Sequence, residues 1–215
     1  MSIDKNIILE YTKRYKEFGA TPKGSFWVSK KRQYKRFEII LEEIQKISKD
    51  SKLIKIADVG CGYGAMADYL ISTQQINTYS YQGYDISPIL IEECNKNFSD
   101  SNINFFLGKK PNALSMFTVM SGTYNLAMTE DPLEWEEYMF KCLSDCWKLT
   151  SDAMIFNLQV SNKQRVSDSN IYFAEPSRVI DRCVSSFGPT RMTKSEDLPK
   201  DITFTVVSPN LLRKD

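Results

Sequence analysis

The residues Ile56-Ala57-Asp58-Val59-Gly60-Cys61-Gly62-Tyr63-Gly64-Ala65 constrain this chain more than any others. An apolar run with strand character drives straight into three glycines, and helix-forming residues follow. Glycines at such a junction allow a tight turn and let a ligand lie on bare backbone, with helix N–H groups aimed at it. The sequence from about residue 53 onward repeats the same alternation. Strands are expected at Leu53–Val59, Tyr81–Asp85, Ile103–Leu107, Leu114–Ser121, Ala153–Leu158, Pro189–Thr193 and Ile202–Ser208. Helices are expected at Ala65–Ser72, Pro88–Phe98, Pro132–Leu149 and Pro176–Phe187, three of them opening on a proline, which suits the first helical position. The pattern implies an α/β fold: a doubly wound, mainly parallel seven-stranded sheet covered on both faces. The last two strands are joined by Lys194–Asp201, too short for a parallel crossover, so they are expected to form an antiparallel C-terminal hairpin at one edge.

A helical N-terminal extension precedes this core. Ile7, Ile8, Tyr11, Tyr15 and Phe18 recur at helical spacing up to a stop at Gly19, and 20–25 reads as a loop. Ser29 is placed to cap a second helix whose apolar face is Tyr34, Phe37, Ile40, Leu41, Ile44 and Ile47. At 215 residues the expectation is one domain, with 1–50 as an extension or lid and 51–215 as the core.

Composition excludes several chemistries. The chain has no histidine, which removes serine–histidine triads, histidine metal sites and histidine general bases. Its five cysteines are odd in number and scattered; Cys142 and Cys146 lack a second pair, so no metal site is expected. No run approaches the ~20 apolar residues of a membrane span, and the first residues lack a signal-peptide pattern, so a cytoplasmic setting is expected. Net charge is only +1, but residues 1–50 carry 12 Lys and Arg against 7 Asp and Glu. Such a leader could attract a phosphate, a sugar nucleotide or RNA, or could be a solvated helix face with interleaved glutamates.

Gly60-x-Gly62-x-x-Ala65 also fits the dinucleotide-binding pattern. Two features favour S-adenosylmethionine (SAM) over a nicotinamide cofactor. Asp58, two residues before the first glycine, suits a cationic ligand and would repel a pyrophosphate, and Tyr63 puts bulk where a phosphate loop wants little. The stretch resembles the first motif of class I SAM-dependent methyltransferases, and the resemblance extends from about Leu53 to Ser208. It implies that Gly60, Cys61, Gly62 and Gly64 border the methionine part of SAM and that Asp58 acts through its amino group. At the end of the next strand, Tyr84-Asp85-Ile86 matches the second motif: Asp85 is expected to accept the ribose hydroxyls and Ile86 to pack on the adenine. On this reading Asp85→Ala abolishes SAM binding with little loss of fold. The acidic residue common after the third strand is missing here, where Leu107-Gly108-Lys109-Lys110 stands.

Ser121, at the end of the fourth strand, is grouped with the cofactor contacts. So are Trp27 and Arg36 of the extension, with Arg36 a candidate for forking the SAM carboxylate. Tyr124 and Asn125 are the candidate catalytic residues, each with a plain packing or loop role as its alternative. Asn157 shares that rim, and the loop 161–170 could cover it. The expected activity is methyl transfer to an O or N atom of a small molecule such as a sugar or metabolite. RNA methylation, a non-methylating use of SAM and a SAM-binding subunit are the alternatives. Near-neutral charge and the lack of a recognisable RNA module count against nucleic acid as the partner.

Overall fold

The apolar residues of the core strands point alternately to opposite faces, and both faces are covered, as a buried parallel sheet requires. The computed structural model describes residues 2–27, 29–48 and 53–211, so the boundary expected at 50/51 lies outside the described residues. The strands are β1 (Ile54–Val59), β2 (Tyr79–Asp85), β3 (Ile103–Leu107), β4 (Ser115–Ser121), β5 (Thr150–Gln159), β6 (Arg165–Val166), β7 (Tyr172–Phe173), β8 (Thr190–Lys194) and β9 (Asp201–Val207). Seven of them form one sheet in the order β3-β2-β1-β4-β5-β9-β8. β1 to β5 run parallel, while β9 is antiparallel to both β5 and β8. The expected hairpin therefore exists, with its second strand inserted beside β5 and its first left at the edge.

The helices are α1 (Ile3–Phe18), α2 (Lys30–Ile47), α3 (Ala65–Ser72), α4 (Pro88–Asn97), α5 (Pro132–Trp147) and α6 (Pro176–Ser186). One face of the sheet, with Ile56, Phe117 and Ile155, is covered by α2, α3 and α4 through Ile40, Ile44, Leu70 and Cys94. The opposite face, with Val59, Met120 and Phe156, is covered by α5 and α6 through Trp135, Phe140 and Val179. Ser29 accepts a hydrogen bond from Arg32 N at 3.3 Å and caps α2 as its sequence suggests. Helix α2 is thus a full layer of the core. Helix α1 has no buried residue and behaves differently. It runs across the carboxyl ends of the strands, with Asp4 accepting from Lys109 Nζ and from the Tyr138 hydroxyl, both at 2.8 Å. No described helix is long and apolar enough to cross a membrane.

The segment expected as an open loop and helix entry is instead a small hairpin. β6 pairs antiparallel with β7, and Asn170 turns the chain with φ of 60°. Tyr172 is buried in β7, its N–H donating to Asn125 O at 2.9 Å and its hydroxyl to Glu136 at 3.4 Å. These long-range partners hold the segment extended, and α6 begins at Pro176 as its sequence suggests.

Glu43 ties α2 to the hairpin edge. Its buried carboxylate accepts from Arg191 Nε and Lys46 Nζ at 2.6 Å, Thr193 Oγ1 at 3.1 Å and Thr205 Oγ1 at 3.2 Å. Burial pushes this carboxyl up, but the hydrogen bonds from Lys46 and Arg191 outweigh it and hold the group below its ordinary value. A depressed carboxylate stabilises the fold fully above the unfolded value of 4.5 and loses that contribution as pH falls through the folded one. Replacing Glu43 by Ala strands two threonine hydroxyls and should cost about 2–3 kcal/mol in urea denaturation at pH 7. The difference from wild type should shrink on acidification below the ordinary carboxylate range.

Candidate active site

Strand order reverses between β1 and β4, which opens a crevice at their carboxyl ends. The glycine turn sits there. Gly60 N and Cys61 N donate to Tyr84 O at 2.7 and 3.1 Å, so the chain leaving β1 is held against the end of β2. Gly60 has φ of 78°, and a Cβ on it would lie 2.5 Å from Thr123 Cγ2. Thr123 in turn donates to Val59 O at 2.8 Å. Gly60 is therefore required by packing. Gly62 is different: at φ of 58° its missing Cβ would meet only Ser25 Oγ, at 3.5 Å. It presents bare backbone to a cavity of about 360 Å³. Gly64 is not part of the cavity wall; it precedes α3 and packs against Phe98.

Two carboxylates line this cavity on neighbouring strand ends. Asp58 is buried and accepts from the Tyr81 hydroxyl at 2.6 Å. Burial pushes its carboxyl up to about 7, with the Tyr81 bond opposing and the nearby Asp85 charge adding. Asp85 accepts from Gly62 N at 3.0 Å through one oxygen and from Ser87 N at 2.9 Å through the other. Burial raises its pKa against those backbone bonds. The expectation that Asp85→Ala spares the fold is corrected here, because this carboxylate also pins the glycine turn. Ile86 and Gly108 continue the same wall, and Gly108 N donates to Asp85 O at 2.9 Å.

The extension closes the cavity from above. Arg36 is buried, with NH2 donating to Asp201 at 2.5 Å and its guanidinium 4.3 Å from the Trp27 ring. Arg36 is therefore part of the interior and not a surface cation. Among the described residues, Arg36 Nε, Ser25 Oγ, Ser87 Oγ and Ser121 Oγ are buried polar atoms without a partner, and all four residues line the cavity. Buried polar groups are normally satisfied, so four orphans facing one space mark it as built for a polar ligand. Ile7 and Tyr11 of α1 complete the roof. Sequence reasoning missed them, because their spacing is that of any amphipathic helix. It also missed Asp201, whose only local signal is its place before a strand.

No family model matches the chain. A candidate methyltransferase of Mycobacterium tuberculosis strain H37Rv is 28% identical over 131 residues, which is 60% of this chain and 77% of that protein. A SAM-dependent methyltransferase from Leishmania major superimposes with a TM-score of 0.68 at 13% identity, over 94% of this chain and 82% of that one. Magnesium protoporphyrin IX methyltransferase from Synechocystis with bound SAM gives 0.58 at 12% identity, over 81% and 79%. Human N-acetylserotonin methyltransferase with SAM gives 0.53 at 12%, over 96% and 66%. The fold is that of the class I SAM-dependent methyltransferases.

Within this fold the cavity has a second rim at the carboxyl ends of β4 and β5 and the start of β9, where the sequence placed its catalytic candidates. The structure corrects the reading of Tyr124 there. Its hydroxyl is turned into the core and donates to Met120 Sδ at 3.6 Å, and burial drives its pKa far up. A phenol so placed cannot take a proton from an acceptor. Asn125 serves the loop: its Oδ1 accepts from Gln159 N at 2.9 Å and its backbone holds Tyr172. Asn157 likewise accepts from Gly122 N at 2.8 Å. Ser121 and Cys61 line the cavity as expected, Cys61 with a buried thiol whose pKa burial raises.

The two central glycines separate packing from binding. Gly60→Ala should destabilise the methyltransferase fold by about 2 kcal/mol or more, since strain and a clash with Thr123 combine. Gly62→Ala adds only the strain of a positive φ, about 1 kcal/mol, but pushes a methyl group into the cavity. Thermal melts should therefore show the larger loss for Gly60→Ala, while Gly62→Ala should lose ligand binding with the fold intact.

Proposed function

We propose that this chain moves the methyl group of SAM to an O or N atom of a small-molecule acceptor. The observation that carries the reading is the pair Asp58 and Asp85 flanking the bare Gly62 backbone in one cavity. Asp58 suits an ammonium and would repel the pyrophosphate of a dinucleotide, while Asp85 suits a vicinal diol, as it would in either cofactor class. The relative from M. tuberculosis and the fold it shares with SAM-bound enzymes support the same cofactor.

SAM supplies a sulfonium-activated methyl group, so the chemistry asks the protein mainly for alignment and exclusion of water. Asp58 would hold the amino group, Asp85 the ribose hydroxyls, and Ile86 with the backbone of Gly108 the adenine side. Arg36 lines the same cavity with an Nε that has no partner among the described residues, and would take the carboxylate. Tyr11 and Ile7 would cover the bound molecule and keep water out.

Calorimetry on the purified protein tests this directly. Micromolar binding of SAM and S-adenosylhomocysteine with none of NAD is the expected result; tight NAD binding, or no binding of either, would sink the reading. Asp85→Asn keeps one acceptor for Ser87 N and should weaken S-adenosylhomocysteine at least about 10-fold.

Asp58 adds a pH signature. Its folded pKa of about 7 lies above the usual 3.8, so the ligand-free fold loses stability as pH rises between those values. Only the ionised form pairs with an ammonium. SAM affinity should therefore rise by about 10-fold or more from pH 5.5 to 7.5, and Asp58→Asn should abolish the rise.

A further inference from the structure

The cavity is electrically divided. Its β1 and β2 end carries Asp58 and Asp85, whereas its β5 and β9 end carries Arg32, Arg36 and Lys200 with the single carboxylate Asp201. That carboxylate is already engaged by Arg36. Arg32 lies one helical turn before Arg36 on α2, so both face the cavity from the same side. Lys200 adjoins Asp201 at the start of β9, opposite Gln159 at the end of β5. Among the described residues neither Arg32 nor Lys200 enters an ion pair, although both line the cavity.

The basic excess of the first fifty residues makes this selective. Lys30 pairs with Asp68, Lys35 with Glu38 and Asp197, and Lys46 with Glu43, while Arg14 and Lys23 lie over the Phe18 ring. Lys5, Lys13, Lys16 and Lys31 likewise enter no ion pair among the described residues, but of the free cations in this stretch only Arg32 lines the cavity.

Among the described residues the same end offers no proton acceptor free of a partner. The chain has no histidine, the Tyr124 hydroxyl is buried against Met120, and Asp201 is neutralised by Arg36. An alcohol acceptor would need a base there, and a protonated amine would be repelled by the cations.

Resting on the reading of the cavity as a SAM site, we propose that the acceptor is a small-molecule carboxylate, steered by Arg32 and Lys200 and methylated on its oxygen. A carboxylate oxygen forms the new O–CH3 bond as the S–CH3 bond breaks. The electron pair stays on sulfur, giving neutral S-adenosylhomocysteine and a methyl ester, and no proton moves. The ester has lost the charge that Arg32 and Lys200 attract, which favours release of product over substrate.

The test uses the full chain with methyl-labelled SAM and a set of aliphatic and aromatic mono- and dicarboxylic acids, each beside its primary amide. Turnover should occur with acids and not with their amides, and mild alkali should release the label as volatile methanol. Arg32→Ala and Lys200→Ala together should raise KM for the acid about 10-fold, leaving S-adenosylhomocysteine affinity within about two-fold of wild type. Label that resists alkali, equal use of the amides, or a KM indifferent to both substitutions would overturn the proposal. So would the failure of every acid to bind the S-adenosylhomocysteine complex more tightly than its amide. Absence of S-adenosylhomocysteine binding in the unmodified chain would instead bring down the cofactor reading itself.

Discussion

The hydrogen bond from Gly62 N to the Asp85 carboxylate joins the two strand ends on which everything else at the site is built. With Gly60 N and Cys61 N held by Tyr84 O, it fixes the path of the chain between β1 and α3. Only a backbone that passes through positive φ at Gly60 and Gly62 follows this path. The turn then leaves the start of α3 and one face of Gly62 turned toward open space. A single carboxylate thus shapes the cradle and also forms part of its chemical surface.

That double use has an electrostatic cost, visible at Asp58. Desolvation disfavours the charge of buried Asp58 and of half-buried Asp85, and the Asp85 charge adds to the cost at Asp58. The Tyr81 hydroxyl relieves Asp58 only in part. A cationic ligand removes the remainder of the strain, so the site is arranged to be more comfortable full than empty. The same logic runs at the opposite end. There Arg36, Asp201 and Trp27 form a tightly packed but incompletely satisfied cluster, and Arg32 and Lys200 add uncompensated positive charge.

Helix α1 has no fully buried residue; half-buried Ile3 and Ile7 pack against the core, and a few polar links add to them. Asp4 reaches Lys109 and Tyr138, and Tyr11 packs edge-on against Phe26 at 5.3 Å. An element with no buried residue can open at small cost compared with the core helices. Through Ile7 and Tyr11 it lines the cavity, whereas α2 is locked by Phe37, Ile40, Leu41 and Ile44.

Much of the fold was legible because it rests on local rules. The alternation of strands and helices, the prolines that open α4, α5 and α6, the Ser29 cap and the glycine turn each depend on a few consecutive residues. The same holds for Asp58 and Asp85, whose place at strand ends follows from where the apolar runs stop. The tertiary structure alone decided what distant residues do for one another. It turned Tyr124 into the core, gave Asn125 and Asn157 to loop backbones, folded 165–173 into a hairpin, and brought Arg36 to Asp201 across 165 residues. Side-chain type and spacing specify secondary structure and the ends of strands. The partner of a buried polar group is set by how the layers pack, and sequence separation carries no trace of it.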